Sequence, residues 1–293
     1  MLDDFTEFDI QLPDTVIHGR RGGSGPPLLL LHGIPETHLM WHRVAPALAA
    51  THTVIATDLR GFGASGKPPS APDHAPYAMR TLALDQVKVM EHLGFPAFAV
   101  AGHDRGARCA YRMALDHPDR VTALAVLDIV PTGDSFDQAG REFSLAYWLW
   151  SFLAAPFPLP ETLIAGAPSA LVNHMLDAWS ADPAAIPAEL RAEYIAAFAS
   201  PHTVHAICEQ YRAAATLDYA HDHEDKGKRH IECPVLVMWD RYGGTGQWFD
   251  PLLTWREWAG NVTGKPLPGG HFLPEENPDE VIRELRAFLA ARP

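Results

Sequence analysis

Residues 100–108 read Val-Ala-Gly-His-Asp-Arg-Gly-Ala-Arg, and at their centre Gly102-His103-Asp104-Arg105-Gly106 sets one aspartate between small residues. The small-x-nucleophile-x-small spacing is that of a tight strand-to-helix turn. Such a turn forces its central residue into a strained backbone conformation, and it needs flanking glycines so that strand and helix can approach closely. An aspartate presented this way is already ionised near neutral pH and can displace a leaving group from an sp3 carbon, forming an aspartyl ester. Hydrolysis of that ester needs water at the aspartyl carbonyl, and hence a histidine base, an acid to orient it and backbone N–H donors for the oxyanion. The rest of the chain must supply all three.

The elements that would position them follow in order. Residues 5–18 can form an opening strand pair, and 20–27 a glycine-rich turn. Residues 27–31 are a continuous apolar run, as expected of a strand covered on both faces in a largely parallel sheet, and they lead into His32-Gly33-Ile34-Pro35. Helical spacing over 41–50, a strand over 53–58 and a glycine turn over 59–65 come next. Gly61 and Gly63 can be turn glycines and nothing more; no G-x-G-x-x-G opens a helix there, which argues against a dinucleotide site. A helix over 77–93, a strand over 98–101, a helix over 105–116 and a strand over 121–130 complete the first half. In open sheets of this kind ligands gather at the carboxyl ends of strands, which puts Asp58, Asp104 and Asp128 on the functional edge. Between 132 and 229 the strand-like runs disappear and Trp, Tyr and Pro accumulate, the pattern of an inserted helical cap. The strand pattern resumes at 234–239, and 276–291 predicts a terminal helix. The expected organisation is one core domain made of 1–131 and 230–293, interrupted by a cap over 132–229.

With 293 residues and 47% hydrophobic content, the chain can fill one large core. Its three cysteines, Cys109, Cys208 and Cys233, are widely spaced and fit neither a disulfide framework nor a zinc site, which suggests a reducing cytoplasm. The acidic amino terminus lacks the order of a secretory signal, and no apolar run nears the roughly 18 residues of a membrane span. A net charge of -13 argues against nucleic acid as a partner, so any anion site must be local. Residues 221–225, His-Asp-His-Glu-Asp, read as a solvated loop rather than a metal cluster, and His38 and His42 as ordinary helix residues.

Taken with Gly269-Gly270-His271-Phe272 near the carboxyl end, these segments resemble the α/β-hydrolase superfamily over nearly the full length. Within it the chain is most similar to fluoroacetate/haloacetate dehalogenases, through His103-Asp104-Arg105-Gly106-Ala107-Arg108, Leu127-Asp128-Ile129-Val130-Pro131-Thr132 and Gln210-Tyr211-Arg212-Ala213. The resemblance implies an α/β fold with a mostly parallel sheet, helices flanking it and a helical cap. It implies Asp104 as nucleophile, His271 as base and Asp128 as the acid orienting it. Asp240, after the 234–239 strand, competes for the acid's place. The backbone N–H groups of Ile34 and Arg105 would form the oxyanion hole. Arg105 and Arg108, on the first turns of the helix, can converge on one carboxylate, although pairing with Asp128 or Asp134 would also account for them. No cofactor or metal is implied; the partner is a small 2-halo carboxylate, and the family suggests a homodimer.

The resemblance has one departure. Halide departure calls for several hydrogen-bond donors, which the family supplies from a His-Trp pair and a later Tyr; here Trp150 and Tyr211 match, but Leu149 stands at the His position. Trp148, His174, His202 and His205 are candidate replacements. The rival reading is an epoxide hydrolase with the same Asp nucleophile, using Tyr211 with Tyr147 or Tyr194 as donors, for which the Arg105/Arg108 pair has no use. A non-catalytic ligand receptor on the same fold fits poorly with an intact Asp, His and acid.

Overall fold

Pro27–Leu31, Thr53–Thr57 and Phe98–His103 are buried along almost their whole lengths, which is why they read as unbroken apolar runs: each is flanked by strands and covered on both faces. In this computed structural model, which describes residues 1–241 and 243–291, they belong to one eight-stranded sheet. The strands are β1 (Thr6–Gln11), β2 (Val16–Gly22), β3 (Pro27–Leu31), β4 (Thr53–Thr57), β5 (Phe98–His103), β6 (Val121–Leu127), β7 (Val235–Asp240) and β8 (Val262–Leu267). Their spatial order is β1-β2-β4-β3-β5-β6-β7-β8. The first two are antiparallel additions, β1 on β2 and β2 on β4, and β3 to β8 run parallel. Helices Met79–His92, Arg105–Asp116 and Pro278–Ala290 complete the core. This is the α/β architecture the apolar runs predict.

Several boundaries differ from the sequence reading. The expected helix over 41–50 is a 3-10 turn, His38–Arg43, followed by a single turn of α-helix, Ala45–Leu48. β2 runs on to Gly22, into the expected turn. The strand expected over 121–130 stops at Leu127, because Asp128 takes φ +57, a left-handed conformation that leaves the sheet. The last helix starts at Pro278 after a short turn, Leu273–Glu276.

Between β6 and β7 the described residues contain helices and no strand, from Thr132–Asp137 to Tyr219–Asp225. The segment expected as a solvated loop, 221–225, lies in that last helix. Asp222 and Asp225 are buried there because Arg112, on the helix Arg105–Asp116, bonds to both, at 2.8 Å and 2.5 Å, and Tyr111 donates to Asp222 at 2.8 Å. Sequence alone could not show an ion-pair partner more than a hundred positions away. No described helix is long and apolar enough to cross a membrane.

Candidate active site

Asp104 sits between the end of β5 and the helix Arg105–Asp116 with φ +44 and ψ -114, the strained turn that its flanking residues predict. The reason for the glycines is steric. A Cβ on Gly102 would come within 2.5 Å of the Gly106 backbone, and one on Gly106 within 2.5 Å of the Leu31 carbonyl. The Ile34 N–H donates to Asp104 Oδ2 at 3.1 Å, so one of the two expected oxyanion donors already faces this carboxylate. Burial opposes ionisation of Asp104, but the charges of His271, His103, Arg108 and Arg105 outweigh it and hold the carboxyl below the usual carboxylate range. The Asp104 carboxyl is kept ionised.

His271 lies in the loop after β8 and is 8% exposed. Its Nδ1 donates to Asp128 Oδ2 at 2.6 Å, leaving Nε2 for the cavity. The left-handed bend at Asp128 is what turns that carboxylate toward the ring, and the Asp240 N–H, at 3.1 Å, fixes its other oxygen. The loop is braced from behind: the Trp179 carbonyl accepts from the His271 N–H at 2.8 Å, and the His271 carbonyl lies 2.8 Å from His103 Nε2. His103 Nδ1 faces Glu36 at 3.0 Å, while Tyr194 donates to Glu275 at 2.8 Å. Burial pushes the carboxyls of Glu36 and Glu275 upward. Glu36, Glu275 and Tyr194 are parts of the support that sequence reasoning missed or placed elsewhere.

Arg105 and Arg108 are both buried, and among the described residues neither has a carboxylate within ion-pairing distance. The alternative that they pair with Asp128 or Asp134 is therefore not realised; Asp134 bonds to Lys226 and Trp258 instead. Arg105 is held by the Gln210 carbonyl at 3.1 Å and side chain at 3.4 Å, with its guanidinium 4.7 Å from the centre of the Tyr211 ring. Arg108 donates to the Val130 carbonyl and Thr132 Oγ1, both at 3.1 Å, and lies 4.5 Å from the centre of the Trp150 ring. Arg105 Nη1 and Arg108 Nε have no partner. Gln210 and Thr132 belong to the segments that carry the resemblance, but nothing in their spacing gave away this task.

A cavity of about 390 Å³ opens above Asp104, lined by Asp104, Ile34, Asp128, Asp240 and His271 from the core and by Tyr147, Trp148, Trp150, His174, Trp179 and Tyr211 from the helical segment. A smaller one of about 10 Å³, near the size of one water, adjoins it against Asp104, Arg108, Trp150 and His271. Arg108 thus borders the site directly, whereas Arg105 stands behind the Tyr211 ring. Of the other candidate donors, Trp148 and His174 are on the exposed outer wall, His202 is on a separate surface and His205 is bound to Ser70 and Glu161. Leu149 is 1% exposed, packed into the core, and lines neither cavity. Tyr194, bonded to Glu275, does not line the cavity and is no donor for an epoxide oxygen, but Tyr147 does line it. His38, expected as an ordinary helix residue, is buried and bonds to Asp58 at 2.8 Å. His18, His38 and Asp58 lie close enough to suggest a metal group, but Asp58 already accepts from the His38 backbone, the His38 ring and the Ala64 N–H.

A nucleophile turn at the central strand, a histidine after the last strand and a helical segment between β6 and β7 define an α/β-hydrolase, and the sequence model of the alpha/beta hydrolase fold matches residues 26–278. Within that class the chain belongs to the haloacetate dehalogenase family. It is 44% identical over 291 residues to the fluoroacetate dehalogenase of a Burkholderia species, covering 99% of this chain and 95% of that one. It is also 32% identical over 281 residues to the soluble epoxide hydrolase of Corynebacterium sp. strain C12, covering 94% and 93%. The crystal structure of ALR0039 from Nostoc sp. PCC 7120 superposes with a TM-score of 0.98 at 49% identity, covering all of both chains.

Proposed function

We propose that this protein is a hydrolytic dehalogenase of 2-halo carboxylic acids. The supporting observation is the pair of buried guanidiniums, Arg105 and Arg108, which lack a carboxylate of their own beside an ionised Asp104. A buried unpaired cation costs several kcal/mol, and a substrate carboxylate is the ligand that offsets it. An uncharged epoxide would leave that cost uncompensated.

In this reading Arg108 takes the substrate carboxylate, assisted by the field of Arg105, and sets C2 over Asp104. Asp104 attacks C2 from the side opposite the halogen; the new C–O bond forms as the carbon–halogen bond breaks, and halide leaves toward the Nε1–H of Trp150 and the Tyr211 hydroxyl. His271, its Nδ1 proton held by Asp128, then takes a proton from water through Nε2 as the oxygen adds to the Asp104 carbonyl. The oxyanion is met by the N–H groups of Ile34 and Arg105. Collapse releases the 2-hydroxy acid and restores the Asp104 carboxylate, and His271 returns its proton to solvent. Every charged species has a named partner, and no cofactor enters the cycle.

The size of the site bears on the substrate. A cavity of about 390 Å³ is within the roughly 300–1,000 Å³ that holds drug-sized ligands, far more than a two-carbon acid fills, so acids with a larger substituent at C2 fit as well. Halide release from fluoroacetate, chloroacetate and 2-chloropropionate, with Asp104→Asn as the blank, tests the reading. We expect release that disappears in the variant; silence on all three acids with diol formation from an aryl epoxide would replace it by epoxide hydrolysis.

Leu149 sets the halogen preference in this proposal. A hydrogen bond to a charged group contributes about 1.5–3 kcal/mol, so one donor fewer for the departing halide slows cleavage by about 10- to 100-fold. The penalty is greatest for fluoride, the poorest leaving group, so chloride and bromide are favoured. Leu149→His should raise the ratio of fluoride to chloride release, measured side by side. An unchanged ratio would show that this position does not meet the halogen.

A further inference from the structure

Two carboxyls, not one, stand at His271. Asp128 follows β6 and Asp240 ends β7, and because these strands are parallel neighbours paired at Leu127 and Met238, both side chains emerge at the same edge. The Asp240 N–H donates to Asp128 Oδ1 at 3.1 Å, which sets the two residues side by side. Asp240 lines the same cavity as Asp128 and His271, is 3% exposed, has no ion-pair partner among the described residues, and leaves Oδ1 with no hydrogen bond. The chain makes room for this group. A Cβ on Gly243 would fall 1.4 Å from Asp240 Oδ2, so any larger residue at that bend would displace the carboxyl.

A buried carboxyl oxygen without a partner costs about 1–3 kcal/mol, and a purely structural aspartate would be expected to satisfy it. We propose that Asp240 is a second positioning acid for His271, able to take the ring's Nδ1–H when Asp128 cannot. The inference rests on the ester-hydrolysis step of the proposed function. The groups facing Asp240 are Asp128 from the β6 edge, His271 from the loop after β8, Tyr147 from the helical segment and the Gly243 backbone. Burial first, and then the charge of Asp128, raise the Asp240 carboxyl to about 8. In the intact protein Asp240 is therefore the member of the pair that keeps its proton near neutral pH, against the charge of Asp128. Removing the charge of Asp128 removes the repulsion. Asp240 then ionises at lower pH, on the wall of the same cavity as the imidazole.

The test uses four forms: the unaltered protein, Asp128→Asn, Asp240→Asn and the double variant. Chloroacetate is the substrate, and the readouts are the halide burst, the steady rate and the Asp104 ester seen by intact mass, between about pH 6 and 10. The burst reports folding and alkylation in every form, since that step does not use the acid. We expect the steady rate of Asp128→Asn to exceed that of the double variant by at least about tenfold. The gap should widen as pH rises through the ionisation of Asp240, and the double variant should lack that rise. A structural role for Asp240 would give no such pH dependence. Equal steady rates for Asp128→Asn and the double variant at every pH would overturn the proposal. Absence of any halide release by the unaltered protein would instead overturn the dehalogenase reading, and the four forms would then be compared on an aryl epoxide, whose aspartyl ester meets the same acids.

Discussion

His271→Gln should release about one halide per active site and then stop, with the steady rate down by about 10²- to 10⁴-fold. The expectation follows from how the proposed reaction divides the work. Asp104 is held ionised by surrounding charge, with Ile34 donating to it, so displacement of the halogen needs no base. Hydrolysis of the ester does: water is a poor nucleophile until a proton is removed, and the group placed to remove it is His271, oriented at 2.6 Å by Asp128. Glutamine keeps a similar bulk and polarity but cannot accept the proton. The product should be a stable adduct on Asp104, heavier by the acid minus its halogen, readable by intact mass and by mapping the peptide that contains residue 104. No burst, or full turnover, would show that His271 does not divide the reaction this way.

Arg108→Leu should lower kcat/KM for chloroacetate by about 10²- to 10³-fold, the scale of losing one member of a buried charge pair. Arg108 borders the inner cavity, and Asp104 is the acid nearest to it electrostatically. Without the guanidinium the substrate carboxylate would be buried beside the Asp104 carboxylate with only Arg105, behind Tyr211, to offset both. Most of the loss should appear in KM, with kcat falling as C2 loses its alignment. Arg108→Lys should recover part of it, because a point charge remains but the planar fork does not. An aryl epoxide, if processed at all, should be indifferent to either change apart from lost packing on Trp150. Equal losses on acid and epoxide would mean that Arg108 is structural, so a thermal melt belongs beside the kinetics.

What could be read from the sequence was whatever depends on neighbours in the chain. Residues 27–31, 53–57 and 98–101 are strands in the structure because a strand covered on both faces must be apolar throughout, and the turn around Asp104 is fixed by glycines two positions away on either side. The helical segment was legible only as the loss of that pattern. Its details depend on distant partners: Asp222 and Asp225 look like a solvated charge run until Arg112 is brought to them. Gln210 looks like any polar helix residue until Arg105 needs its carbonyl. Tyr194 was a reasonable hydroxyl donor by type, but the fold turns it to Glu275. The relation of Asp128 to Asp240 depends on which strands are neighbours, which topology supplies and residue spacing does not.

The Arg112 ion pairs also bear on how molecules come and go. They tie the helix that begins beside Asp104 to the last helix of the inserted segment, and Gln210, bonded to both Arg105 and the Arg60 carbonyl, adds a second fastening at the heart of the site. A segment anchored on both sides of the reacting carbon does not swing away as a lid without breaking buried charge contacts. Traffic is directed instead to the rim, where Leu145 is 67% exposed and Trp148 is 39% exposed. In the proposed reaction the acid enters and the hydroxy acid departs past greasy side chains that need only change rotamer, while the charged floor beneath them stays assembled from one turnover to the next.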